Sequence, residues 1–260
     1  MQEKDLTLER RAFLYKSALL FVGSLLGLKG LSRSLASACT INPKIAIIID
    51  DIGFSEDRLN EFLDVEACLT FSILPRLTKS AHLAEKIHAR GYEVMLHQPM
   101  EPLDPFVDPG PGALYVRDPL EKIANTIKEN ISETPYVTGI NNHMGSRFTA
   151  CGTEMKEVLT VARDSGLFFV DSLTTNRSIG YRSARAMNIP AARRDIFIDN
   201  VQDEGHTGMQ LENLKGLARV FGHATGIGHP FPETARAIQG FCNSLRETDI
   251  SMVPVSTLLT

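Results

Sequence analysis

The sequence predicts an α/β protein in which a parallel sheet curls into a β/α barrel, with an open doubly wound sheet as the other arrangement considered. Three observations predict it. From Lys44 onward, runs of apolar residues alternate with segments whose apolar residues recur at spacings of three and four. The runs are continuously apolar, as expected of parallel strands covered on both faces. They also end in polar residues, which is how barrel enzymes furnish one rim with chemistry.

Strands are expected at 44–50, 67–74, 92–97, 137–143, 167–171, 195–199, 225–229 and 250–255. Helices are expected at 80–90, 119–132, 154–165, 209–221 and 232–245. No linker divides residues 44–260, which read as one domain. The Pro- and Gly-rich stretch 102–111 is a long loop of the kind that lines a site.

The chain has 260 residues, 43% of them hydrophobic, enough for a substantial core. A net charge of −4 without a basic face argues against nucleic acid as a partner. The absence of Trp argues against a base-stacking platform. Cys68, Cys151 and Cys242 have no ligand-like spacing and read as core or surface thiols.

Residues 1–38 have the layout of an export signal: Arg10-Arg11 before Phe13-Leu14, an apolar stretch from Ala18 to Leu28, then Ala36-Ser37-Ala38. Paired arginines are the twin-arginine form of such a signal. The apolar stretch is shorter than the roughly 20 residues a membrane span needs, so no stable transmembrane anchor is expected. Export places the domain in the periplasm or otherwise outside the cytoplasm. Residues 39–43 are then a spacer, in which Cys39 offers a site for lipid anchoring.

At the strand ends stand Asp50-Asp51, His97, Asn141-Asn142-His143, Asp171, Asp199-Asn200 and His229. Asp171, Asp199 and Asn200 read equally well as helix N-caps. Histidine is a mediocre cap, so three histidines on one rim point to a shared cavity. One Asp with two His is a common donor set for zinc or a similar divalent ion. A cation also accounts for the tandem Asp, since its charge relieves the repulsion between neighbouring carboxylates. His82 and His88 read as surface residues, His206 and His223 as helix-end groups, and Arg193-Arg194 as a solvated pair.

The order I-I-D-D-I-G, L-T-F-S-I-L-P, G-Y-E-V-M-L-H-Q-P-M-E-P, N-N-H-M-G-S, F-F-V-D-S and G-I-G-H-P resembles the divergent polysaccharide deacetylase family, a distant branch of the NodB-like carbohydrate esterases. The resemblance covers nearly all of 44–260. It implies a distorted (β/α)7-8 barrel and a divalent metal, zinc first among candidates. It matches Asp50 to the catalytic base, Asp51 to the metal-binding Asp, and His97 to the first histidine of an H-x-x-x-H metal motif. The second histidine of that motif is replaced by Glu101, and strand-end position nominates His143 for the lost ligand. His229 resembles the general acid. Glu101, Asn142 and Asp171 are taken as substrate-binding or supporting residues. The expected activity is metal-dependent removal of N-acetyl groups from a glycan or polysaccharide. A barrel that only binds glycan or protein, or a different metal hydrolase, are the alternatives.

Overall fold

A computed structural model describes residues 42–260; the expected export signal and Cys39 lie outside them. Nine parallel-paired strands alternate with seven helices in the described residues. In chain order they are β1 (Lys44–Ile52), α1 (Glu56–Leu63), β2 (Thr70–Ile73), α2 (Ser80–Ala89), β3 (Glu93–Met100), α3 (Leu120–Glu133), β4 (Val137–Met144), α4 (Gly152–Asp164), β5 (Phe168–Asp171), α5 (Gly180–Ala186), β6 (Ala191–Arg193), β7 (Ile196–Phe197), α6 (Glu204–Phe221), β8 (His223–Gly228), α7 (Pro232–Leu245) and β9 (Ser251–Met252). The sheet order is β6-β5-β4-β3-β2-β1-β8-β7, with β9 beside β1.

This is the expected distorted barrel, with a seam. Among the described residues no ladder joins β6 to β7. The open edge of β6 pairs with the C-terminal residue, through reciprocal backbone hydrogen bonds between Ala191 and Thr260. The strand expected at 250–255 shrinks to β9, because Pro254 has no N–H to give a ladder. A 3-10 turn, Val255–Leu258, follows it. Strand β6 and helices α1 and α5 were not expected; all are short, and β6 has too few residues to show alternation.

Period two along the strands sorts the core into layers. In β1, Ile45, Ile47 and Ile49 point outward beneath Leu59, Phe62, Leu214 and Phe241 of the helices. Ala46 and Ile48 point inward, meeting Met95, Phe168, Val170, Ala192 and Ile227. Val255 and Leu258 join this inner cluster, so the C-terminal turn packs inside the barrel. Gly139 is required here: a Cβ on it would overlap the Phe168 ring.

Continuing the inward phase along each strand reaches the site. Asp50 follows Ala46 and Ile48, Ser72 follows Thr70, His97 follows Met95, and His143 follows Gly139 and Asn141. Below the rim the barrel is apolar; at the rim it is polar.

Candidate metal centre and active site

Strand alternation should send Asp50 and Asp51 to opposite faces. The backbone prevents this. Asp51 has a left-handed φ of 58°, and the register of β1 against β2 shifts between Ile49 and Ile52. Asp tolerates the left-handed region better than most residues, and a bulge re-aims side chains at a barrel rim. The bend is at Asp51 itself; Gly53 follows with φ 147°.

Asp51 thereby joins His97 and His143. Its Oδ1 lies 3.1 Å from His97 Nε2 and 2.9 Å from His143 Nδ1, and the two ring nitrogens are 3.1 Å apart. Among the described residues these three are the set arranged to hold a metal ion. One observation tests whether they fit one: Asp51 Oδ1 is buried yet has no hydrogen-bond partner of acceptable geometry. Such an orphaned oxygen costs free energy. A cation at the convergence of these atoms satisfies all three donors, so the residues fit a divalent ion.

The electrostatics point the same way. Burial would raise the Asp51 pKa, but the His143 and His97 imidazoles reverse this and hold it well below the usual carboxylate range. Burial would lower the His97 pKa, and Asp50 and Asp51 instead raise it. Two carboxylates in a buried site draw in positive charge, and an ion can supply it.

Asn141 fixes the chemistry of His97. Its Nδ2 donates to Asp50 Oδ1 at 2.8 Å, and its Oδ1 accepts from Ser72 Oγ. With the amide so oriented, His97 Nδ1, 2.7 Å from Asn141 Oδ1, must carry a proton. The lone pair is then on Nε2, facing Asp51 and His143. A hydrogen bond to the distal nitrogen of a ligand histidine sets its tautomer and orientation. Asn141→Ala should therefore weaken divalent-ion affinity about 10–100-fold without emptying the donor set. Competition against a fluorescent chelator measures this.

Asp50 is buried, and desolvation raises its pKa against the lowering influence of His97, His229 and Asn141. His229 stands across the cavity at the end of β8. Its Nδ1 is 2.9 Å from Asp199 Oδ1, while Asp199 Oδ2 accepts from the His229 backbone N–H and from Thr234 Oγ1. Burial would lower the His229 pKa; the bond to Asp199 and that residue's charge push it up to about 9. Asp199 thus favours the protonated form of His229. Asp199, legible in the sequence as a helix cap, is instead the residue that holds this histidine; Asp203 caps α6. The reading of Arg194 also changes. Far from solvated, it donates to the carbonyls of Ser172 and Leu173 at 2.7 and 2.8 Å and lies over the Phe197 ring, which stacks on His229.

The cavity enclosed by these groups has a volume of about 200 Å³ and is lined by Asp50, His97, His143, Ser172 and His229, among others. Ser172 Oγ is buried and has no partner. Residues 47–259 match the profile of the divergent polysaccharide deacetylase family. The chain belongs to this family. YibQ of Escherichia coli K12, an uncharacterized protein, is 32% identical over 227 residues, covering 83% of this chain and 67% of YibQ. The crystal structure of the uncharacterized protein ATU2773 from Agrobacterium tumefaciens C58 superposes with a TM-score of 0.80 at 25% identity, over 83% of this chain and 89% of that one. BA3943 from Bacillus anthracis, a CE4 family pseudoenzyme, shares the fold at a TM-score of 0.51 and 11% identity, over 83% of this chain and 65% of that one. A pseudoenzyme on the same fold means that activity has to be argued from side chains.

In this member of the family Glu101, at the place of the second motif histidine, is turned away from the triad. Its carboxylate accepts from Arg147 Nη1 at 2.9 Å and from the Val116 N–H at 2.7 Å, tying the long loop to the segment after β4. Asn142 faces the opposite side of β4 from His143. It accepts from the Ser172 N–H and donates to the Met144 carbonyl, while still bordering the cavity. Asp171 is buried and fully engaged with Ser178 Oγ and the N–H groups of Leu173 and Tyr181. All three are placed to support the rim. Asn141 was the residue overlooked; its signal was spacing, since it lies two positions from His143 on the same strand face.

Proposed function

We propose that the protein is a metal-dependent hydrolase that removes N-acetyl groups from a glycan outside the cytoplasm, with Asp51, His97 and His143 holding zinc. One observation carries the reading: a buried carboxylate, Asp50, and an imidazole held by Asp199, His229, face the same cavity as His97 and His143. That is an acid and a base flanking a place for a Lewis acid. A divalent ion held there would supply polarisation of an acyl carbonyl and a lowered pKa for the attacking water.

The chain supplies the proton transfers. Asp50, made more basic by burial, accepts the proton of the water whose oxygen forms the new bond to the acyl carbon. As the C–N bond breaks, His229 donates its proton to the departing amine. Asn141 holds Asp50, and Asp199 holds His229 in its charged form.

The test is acetate release from N-acetylglucosamine oligomers by the zinc-loaded chain. Acetate released in proportion to free amine supports the proposal. Oligomer binding without acetate would identify a binding module, and phosphate release from phosphoesters a different hydrolase.

His229 also predicts a pH profile. Its folded pKa is raised, so the acid is present below about pH 9 and is lost as pH rises through that value. Its contribution to stability has the same sign: complete below the unfolded-state value of about 6.5 and lost through the folded one. In Asp199→Asn the alkaline limb of kcat/KM should move toward neutrality; a limb that stays near pH 9 would remove His229 from the role.

A further inference from the structure

Beside Asp51 and His143 lies a second space, a groove of about 290 Å³ that His229 does not border. Phe54, Leu74, Leu77, Pro109, Pro111 and Met144 form its walls. Asp51 and His143 border it, so it opens directly onto the candidate ion site. His143 and Met144 border both spaces, whereas Asp50 and His229 border only the polar cavity. The two spaces thus meet at His143 and Met144.

We propose that this groove is the acyl subsite of the same centre, and that it selects saturated acyl chains of medium length over acetyl. The inference rests on the proposed hydrolysis for the position of the scissile carbonyl. An amide carbonyl at the triad has two substituents. The amine must lie toward His229, which protonates it, so the acyl chain lies toward the groove. A sugar ring is a poor occupant there. Apart from Asp51 and His143, only Asp108 among the lining side chains offers a charge, and buried hydroxyls left without partners are costly. An acyl chain has no such groups.

Size gives the second argument. A methyl group takes up about as much space as a water molecule, roughly 30 Å³, a small part of the groove. Phe54 is 66% exposed and would be covered by a longer chain. The loop that supplies Pro109 and Pro111 also carries Leu103 and Phe106, 59% and 95% exposed.

The experiment uses the full chain loaded with zinc and two chain-length series. The first is N-acyl glucosamines from acetyl to dodecanoyl, read as kcat/KM. The second is the matching alkyl hydroxamates, which bind without being hydrolysed, read by calorimetry. Octanohydroxamate should bind about 30-fold or more tighter than acetohydroxamate, since each buried methylene contributes severalfold. Octanoylglucosamine should be cleaved faster than the acetyl compound by a similar factor. In Phe54→Ser and Leu77→Asn, two separate changes to the walls, the ratio of octanoyl to acetyl should fall toward one in both series. Acetyl cleavage with no chain-length preference in either series overturns the acyl subsite and leaves the deacetylase reading intact. Chain-length-dependent hydroxamate binding with no cleavage of any amide overturns the proposed hydrolysis, and the subsite as the acyl site of that reaction with it.

Discussion

His97→Ala and His143→Ala, made singly, should each reduce bound metal to background in a protein that otherwise carries about one divalent ion per chain, as a three-residue donor set would hold. The expectation is strong because the donor set is minimal. Three side chains from β1, β3 and β4 converge, and losing any one leaves two. Metal content after purification without chelator is the direct measurement. Stability supplies a second. An ion that binds only the folded chain stabilises it by about 2.7 kcal/mol at one hundred times its dissociation constant. Chelator should therefore lower the melting temperature of the native protein and leave both variants unchanged. A variant that keeps full occupancy would show that the ion sits elsewhere.

Most of this arrangement was open to sequence reasoning because it follows from strand periodicity. Asp50, His97 and His143 extend inward-facing runs of their strands, and period two needs no tertiary information. Three things were hidden. Asp51 faces inward only through a positive φ and a bulge, which strand periodicity alone does not supply. Asp199 looks like a cap, since the same residue type and strand-end position serve a cap and a histidine anchor; only the fold of β8 beside β7 separates them. Arg194 looked solvated because nothing in its neighbourhood along the chain names its partners, the carbonyls of Ser172 and Leu173 more than twenty residues back. The seam between β6 and β7 was hidden for a related reason: strands of three and two residues carry too little pattern to read.

Asp50→Asn and Asp51→Asn, a single oxygen-for-nitrogen exchange at adjacent positions, should have opposite consequences. Asp51→Asn removes the charge of the carboxylate whose Oδ1 sits among the two ring nitrogens, so metal should be lost and turnover with it. In Asp50→Asn the metal should remain. The new amide oxygen can still accept from Asn141 Nδ2, as Asp50 Oδ1 does, so Asn141 keeps its orientation. His97 then keeps its proton on Nδ1 and its lone pair on Nε2. What disappears is the proton acceptor, because an amide is not a base at any working pH. The loss in kcat should be about 10²–10⁴-fold, the usual worth of a positioned general base. Hydroxamate affinity should change far less, because those ligands test the ion and the groove and need no base. Elemental analysis, kcat and hydroxamate binding on the same preparations separate the two residues. Equal metal loss in both variants would mean that Asp50 also holds the ion, and the base would have to be sought elsewhere on the rim. An Asp50→Asn variant with native turnover would dismiss Asp50 as the base while leaving the triad untouched.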